Sequence, residues 1–392
     1  MSDRGECAPL SAARRFAAVV LVLSGLAALL TALPVARPLR YGAAVLLLWL
    51  LPALAWAHAL PGGLGQRLSG GLGLAFVGSG LATLVLHLVD GPFPMGVARL
   101  VYLSLAIVPL ILGRPRQVLR LPALSKAMWG ALALLALVML LLRTANLGYS
   151  EFQGDEAVIM ARAAQALAGD DRELFLHQKG PVEILVPMSL WSLTGTVSEW
   201  QARLPFALTG MLAVAVVSLL ASRWFNRWAG LLAGFLAAAA GFLVAFSRIV
   251  QYQNFVVAMG GLGLVWLLSY RTSRRRLDLV LSAIYIAYGL LAHYDTVLIG
   301  PAALWILVTA LARRRVRSPS GLSGRAGIVR GLMSSGLSDV LIAMAAGVGI
   351  LALFYLPFVL DPMFSRTFAY LSEGRMGSGL LHNSLLSVWR MS

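Results

Sequence analysis

Charge is scarce in this sequence and acid is scarcer: 12% of the 392 residues are charged, and 16 Asp and Glu face 32 Lys and Arg. Soluble globular domains carry about 25% charged residues, so a water-soluble fold is excluded. Cysteine occurs once, as Cys7, which excludes an intramolecular disulfide. The glycines Gly62, Gly63, Gly65, Gly70, Gly71 and Gly73 lack both a preceding strand and a following Walker lysine, so they form no phosphate loop. What the chain has instead is hydrocarbon, with 59% hydrophobic residues gathered into runs that match the about 20 residues a membrane crossing needs.

These runs predict crossings over 16–36, 41–60, 70–89, 97–113, 127–142, 204–222, 229–246, 254–270, 277–292, 296–312 and 337–360. The expected fold is an all-α polytopic membrane protein of 11 transmembrane helices, with an outer loop of amphipathic juxtamembrane helices between the fifth and sixth. The first run is longer than a signal-peptide core and reads as an uncleaved anchor. Two blocks follow from the pattern: a four-span bundle over 1–120, and a membrane domain over 121–392 that contains the outer loop 144–203.

The net charge of +16 is a matter of topology rather than a nucleic-acid footprint. With Arg14 and Arg15 in the cytosol, alternation puts Arg67, Arg114, Arg116, Arg120, Lys126, Arg223, Arg227, Arg271 and the 274–276 and 313–317 clusters on that same side, as the positive-inside rule requires. Arg37 and Arg40 are the exceptions. The 313–336 segment reads as a solvated cytoplasmic linker. The apolar stretch 183–193 is too short to cross and is expected to be a juxtamembrane or re-entrant helix.

Half of the acids, Glu151, Asp155, Glu156, Asp170, Asp171, Glu173, Glu183 and Glu199, fall within 144–203, where a lipid-embedded helix would not tolerate them. That loop is therefore outside the hydrocarbon and, by alternation, on the outer face. Within it, 157–167 suits an amphipathic helix whose apolar side is Val158, Ile159, Ala163 and Leu167, ended by Gly169-Asp170-Asp171. Asp90, in the turn Asp90-Gly91-Pro92-Phe93-Pro94, reads as structural.

Gly154-Asp155-Glu156-Ala157, His177-Gln178-Lys179-Gly180-Pro181, the run from Gly195 through Arg203 to Pro205, and Phe246-Ser247-Arg248 form an ordered series. The series resembles the multi-spanning C-type glycosyltransferases, in particular the group of protein O-mannosyltransferases and lipid A aminoarabinose transferases. The likeness covers about 127–312, with a weaker echo at 355–361 and 370–372, and leaves out the four N-terminal spans. It implies a polyprenyl-phosphate sugar as donor and an active site on the non-cytoplasmic face. It also implies Asp155 as the catalytic carboxylate, with Lys179 and Arg248 near the donor phosphate. Two positions depart from the family pattern: Gly180-Pro181 stands where Pro-Pro is common, and Gln253 where an acid often follows the Ser-Arg pair. Relatives usually continue into further spans, so the chain is expected to be a fragment or to have the remainder supplied by a partner.

The residue types suit that chemistry independently. Displacing a polyprenyl phosphate from an anomeric carbon needs one base for the acceptor's proton, since the phosphate leaves as a stable anion; glycoside hydrolysis needs two opposed carboxyls. Neighbours on a helix point in different directions, so Asp155 is assigned the base and Glu156 an orienting or capping role, capping being favoured by the helix dipole for either. Cations at the departing phosphate would be Lys179 and Arg248, with Tyr252 beside them. Lys179 could instead snorkel to headgroups, Arg248 could be a membrane anchor, and Arg203 could only anchor the helix it begins. His177 and Arg203 are further candidates for lining the site. His293, Tyr294 and Asp295 could reach the same cavity or form a structural cluster. Together with His177 or Asp155 they leave a divalent cation open, without a recognised ligand spacing.

The expected function is an integral-membrane glycosyltransferase moving a sugar to a lipid, glycan or protein acceptor, placed in the plasma membrane of a bacterium with its site outward and with no nucleic-acid partner. The alternative is a transporter or flippase of a lipid-linked sugar that holds the phosphate without breaking bonds.

Overall fold

The computed structural model describes residues 7–112, 122–170, 172–177, 180–316 and 325–369, and every regular element among them is helical. Eight helices are long and apolar enough to cross a membrane: Ala13–Ala32, Arg37–Ala59, Leu64–His87, Lys126–Thr144, Glu199–Trp224, Gln253–Ser273, Tyr294–Ala312 and Gly336–Leu360. A ninth exists if Arg227–Ala239 and Gly241–Ser247, bent by 60° at their junction, form one span. The segments 97–113 and 277–292 fold as Met95–Leu112 and Arg276–Ala292, of 18 and 17 residues. At 1.5 Å per residue these reach about 26 Å, the lower end of what a crossing needs. The 11 apolar segments thus become eight or nine candidate spans plus two shorter helices.

The bend at Ala240 opens carbonyls that lipid cannot satisfy. Arg143, fully buried in the last turn of Lys126–Thr144, donates to the carbonyls of Ala238 at 3.0 Å and Ala237 at 3.3 Å. A buried arginine thereby replaces the missing helical donors. Arg40, an exception to the charge rule, makes a smaller contribution of the same kind by donating to the Leu33 carbonyl at 2.9 Å.

One hydrophobic core runs from Val20 and Trp49 through Phe76, Val182 and Phe206 to Tyr288 and Phe358, so the N-terminal helices share it with the rest of the described chain. The glycines of Leu64–His87 let neighbouring backbones touch. A Cβ on Gly71 would lie 2.2 Å from the Ala53 carbonyl oxygen, the use to which small residues are put between membrane helices.

Two helices of the 144–203 loop are packed into this core. Val182–Thr194 is buried at every residue except Trp191, so a helix of 13 residues, too short to span, is sheltered by protein rather than lying at the surface. Asp155–Ala168 buries Ile159, Met160, Ala163 and Ala166. Val158 is 50% exposed, which corrects the expected apolar face: it is rotated towards Met160, because the packing partners lie on that side. Gly169, at φ 104°, ends the helix in the left-handed conformation. The Asp90–Pro94 turn docks there, with the Phe93 N–H donating to the Leu167 carbonyl at 3.2 Å.

Candidate active site

The site is built around two buried carboxylates that grip one loop. Glu156 and Arg203, 5% and 0% exposed, form a fork in which Nε donates to Oε1 at 3.0 Å and Nη2 to Oε2 at 2.9 Å. The other donors of Arg203 reach the carbonyls of Leu147 (2.8 Å), Ser150 (2.9 Å) and Glu151 (3.2 Å). All five guanidinium N–H groups are used. Tyr149 and Phe152 cover the cation, with ring centroids 4.7 Å and 5.6 Å from its central carbon. A short stretch with no helical bonds of its own is thereby wrapped around one side chain.

Glu156 Oε1 also accepts the Val250 N–H at 2.9 Å. Two residues on, the Tyr252 N–H donates to Glu183 Oε1 at 2.7 Å, while Glu183 Oε2 meets His177 Nε2 at 2.7 Å. Glu183 is fully buried. Alternate backbone N–H groups of 250–252 are therefore held by carboxylates from two helices, and Gln251 between them donates its Nε2 to Asp155 Oδ2 at 3.2 Å.

Asp155 itself is exposed, in the first turn of its helix, where unpaired N–H groups favour negative charge. Gly154 precedes it at φ 53° and ψ −126°, a conformation that a side chain resists, and this turn sends Asp155 outward and Glu156 inward. Nearby, Arg162 lies 4.0 Å from Glu173. Burial pushes the Glu173 carboxyl above its usual range, with Arg162 opposing and Asp170 adding to the rise.

Tyr252 stacks on His293 with centroids 3.8 Å apart and planes 6° from parallel, and His293 meets Tyr294 at 3.9 Å. His293 Nδ1 lies 3.1 Å from both the N–H and a carboxylate oxygen of Asp295. His177, Tyr252, His293, Tyr294 and Asp295 are thus joined through Glu183 to the loop that touches Asp155. Arg248 points elsewhere: it donates to the carbonyls of Leu142 (3.0 Å) and Asn146 (3.4 Å) and sits 5.6 Å from the Tyr149 ring centroid. Lys179 lies outside the described residues. Among the described residues no three His, Cys, Asp or Glu side chains converge as a metal site requires.

Residues 179–331 match the family model of dolichyl-phosphate-mannose-protein mannosyltransferases. The resemblance expected from the motifs is thus found over the stretch that begins at Lys179 and holds Glu183, Arg203, Arg248, Tyr252 and His293, while Asp155 and Glu156 precede it. The matched family is one of membrane glycosyltransferases of the C type. No curated protein and no solved structure matches the chain.

The structure gives the departure at Gly180 a cause. A Cβ there would lie 2.2 Å from the Leu291 carbonyl oxygen and 2.7 Å from that of Ala292, where the chain leaves Arg276–Ala292 for His293. The proline common in the mannosyltransferase pattern does not fit against that helix end. Gly180→Ala is expected to cost about 1–3 kcal/mol through overpacking, seen as a lowered melting temperature of the detergent-solubilised protein; an unchanged melting temperature would show that the helix end gives way freely.

Glu183, Arg143 and Gln251 have larger parts in this geometry than the sequence suggests. An acid opening an otherwise apolar stretch is the signal that marks Glu183. Nothing local marks Gln251, whose partner is 96 residues away.

Proposed function

We propose that the protein transfers a sugar from a polyprenyl-phosphate donor to an acceptor hydroxyl or amine on the non-cytoplasmic side of a bacterial plasma membrane, with inversion at the anomeric carbon. The observation that carries this reading is the division of labour between neighbours: Glu156 is consumed by Arg203 and Val250, whereas Asp155 faces out beside Gln251. Asp155 takes the acceptor's proton as the new C–O or C–N bond forms, and the sugar–phosphate C–O bond breaks with its electron pair leaving on the phosphate. Lys179 stabilises that anion in a water-poor interface, while Arg248, held by the carbonyls of Leu142 and Asn146, braces the chain beside the site. Tyr252, with His293, Tyr294 and Asp295, forms the wall beside the sugar, and His177 fixes Glu183 behind it. In this reading 121–392 is the catalytic membrane domain, with 1–120 packed against it.

The bent pair Arg227–Ala239 and Gly241–Ser247 favours a second reading, since broken helices are the hallmark of transporters that carry a substrate across. Here Arg143 occupies the opened carbonyls, which argues for a fixed element. Purified protein in vesicles with labelled polyprenyl-phosphate sugar and a mixture of lipid and glycan acceptors separates the two. Labelled product supports transfer; redistribution of label between leaflets without product overturns it in favour of transport.

A further inference from the structure

A cavity lined by several charged residues lies at the other end of the bundle. Arg203 and Arg223 are 20 residues apart on Glu199–Trp224, roughly 30 Å along its axis. Arg223 lines a cavity of about 600 Å³ together with Gln66, Ser269, Arg271, Arg275 and Asp278. Arg223 is anchored there by Gln66 Oε1, the Val265 carbonyl and the Ser269 hydroxyl, and Gln66 Nε2 donates to the same hydroxyl at 2.9 Å. Among the described residues, Arg271 and Arg275 have no side-chain hydrogen bond or ion pair. Three arginines thus line one cavity, and the charges of Arg223 and Arg275 also act on Asp278 within it.

Asp278 makes this more than a basic patch. It is 2% exposed, and its Oδ2 accepts the Ser273 hydroxyl. Its Oδ1 is buried at the cavity wall with no hydrogen-bond partner among the described residues. A buried carboxylate oxygen left without a donor is costly, and a ligand hydroxyl would supply one. Guanidinium groups select phosphate; the carboxylate repels a bare phosphate and accepts from a hydroxyl on the same molecule.

We propose that this cavity binds a phosphate ester of a polyol, with its phosphate on Arg271 and Arg275 and a hydroxyl donating to Asp278 Oδ1. The cavity lies where apolar helices end, so the ester can come from a phosphoglycerol lipid headgroup or from a soluble glycerol phosphate. The inference is independent of the reaction proposed at Asp155.

Two measurements on the full chain test it. Native mass spectrometry after release from nanodiscs with equal phosphatidylglycerol and phosphatidylcholine reads the lipid source. Thermal shift in zwitterionic detergent with glycerol 1-phosphate against inorganic phosphate reads the soluble one. The expected result is preferential retention of phosphatidylglycerol, or stabilisation by glycerol 1-phosphate at concentrations where inorganic phosphate has no effect. Arg271→Ala with Arg275→Ala should weaken binding roughly tenfold or more, as loss of charge-assisted hydrogen bonds does. Asp278→Asn should narrow the preference for the ester over inorganic phosphate, because the charge that repels the bare anion is lost while an oxygen able to accept from a hydroxyl remains. Neither arm showing a preference, or the double arginine variant binding like the wild type, overturns the assignment. The arginine pair decides if Asp278→Asn does not fold, since Arg275 is exposed and Arg271 half-buried.

Discussion

Asp155→Asn is expected to lower the initial rate of sugar transfer by about 10²–10⁴-fold, the usual worth of a general base, while leaving the yield of folded membrane protein unchanged. The substitution keeps the size of the side chain and its place at the surface. Asp155 is exposed and accepts from Gln251, and an asparagine oxygen accepts that bond equally well. What is lost is the capacity to hold a proton. Glu156→Gln is the contrasting variant: both of its oxygens accept from Arg203 and one also from Val250, so an amide there should reduce folded yield before it reduces chemistry. Initial rates with labelled polyprenyl-phosphate sugar, normalised to monodisperse protein, separate the two effects. Full activity in Asp155→Asn would remove the base assignment.

The second large effect is structural. Arg203→Ala should destabilise the protein by about 3–5 kcal/mol, as expected when a buried ion pair loses one partner. Glu156 would keep only the Val250 N–H, and the carbonyls of Leu147, Ser150 and Glu151 would lose their donors together. Arg203→Lys should recover little, because an ammonium cannot spread five donors over a fork and three carbonyls. Pairing Arg203→Met with Glu156→Leu should recover part of the loss, since no charge is then left buried. Melting of the detergent-solubilised variants orders the series; a lysine variant as stable as the wild type would show that charge alone matters here.

Much of this arrangement was legible in the sequence, for reasons that mark its boundary. Apolar length located the long helices, because it is a one-dimensional signal. The opposite directions of Asp155 and Glu156 follow from the turn of a helix. The bend at Ala240 was not legible: 229–246 is apolar throughout, and the break is sustained by Arg143, about 95 residues away, which reads locally as an ordinary basic residue at the end of a span. Val158 was misplaced because hydrophobicity names a face only until real neighbours choose between adjacent candidates. Glu183 is marked as an acid that opens an apolar stretch, but its partners, His177 and the Tyr252 N–H, and the Asp155 partner of Gln251 are chosen by tertiary packing that no local pattern announces. The departure at Gly180 was visible as a letter, but its cause, the approach of the Arg276–Ala292 carbonyls, exists only in three dimensions.

Pinning alternate amides of 250–252 from two sides has a kinetic corollary. A peptide segment pegged at both edges has no soft direction in which to yield, so any opening for a bulky guest must come from a different part of the molecule. Whatever docks beside Tyr252 meets a surface already shaped, and its adhesion is not drained by having to freeze a wandering chain.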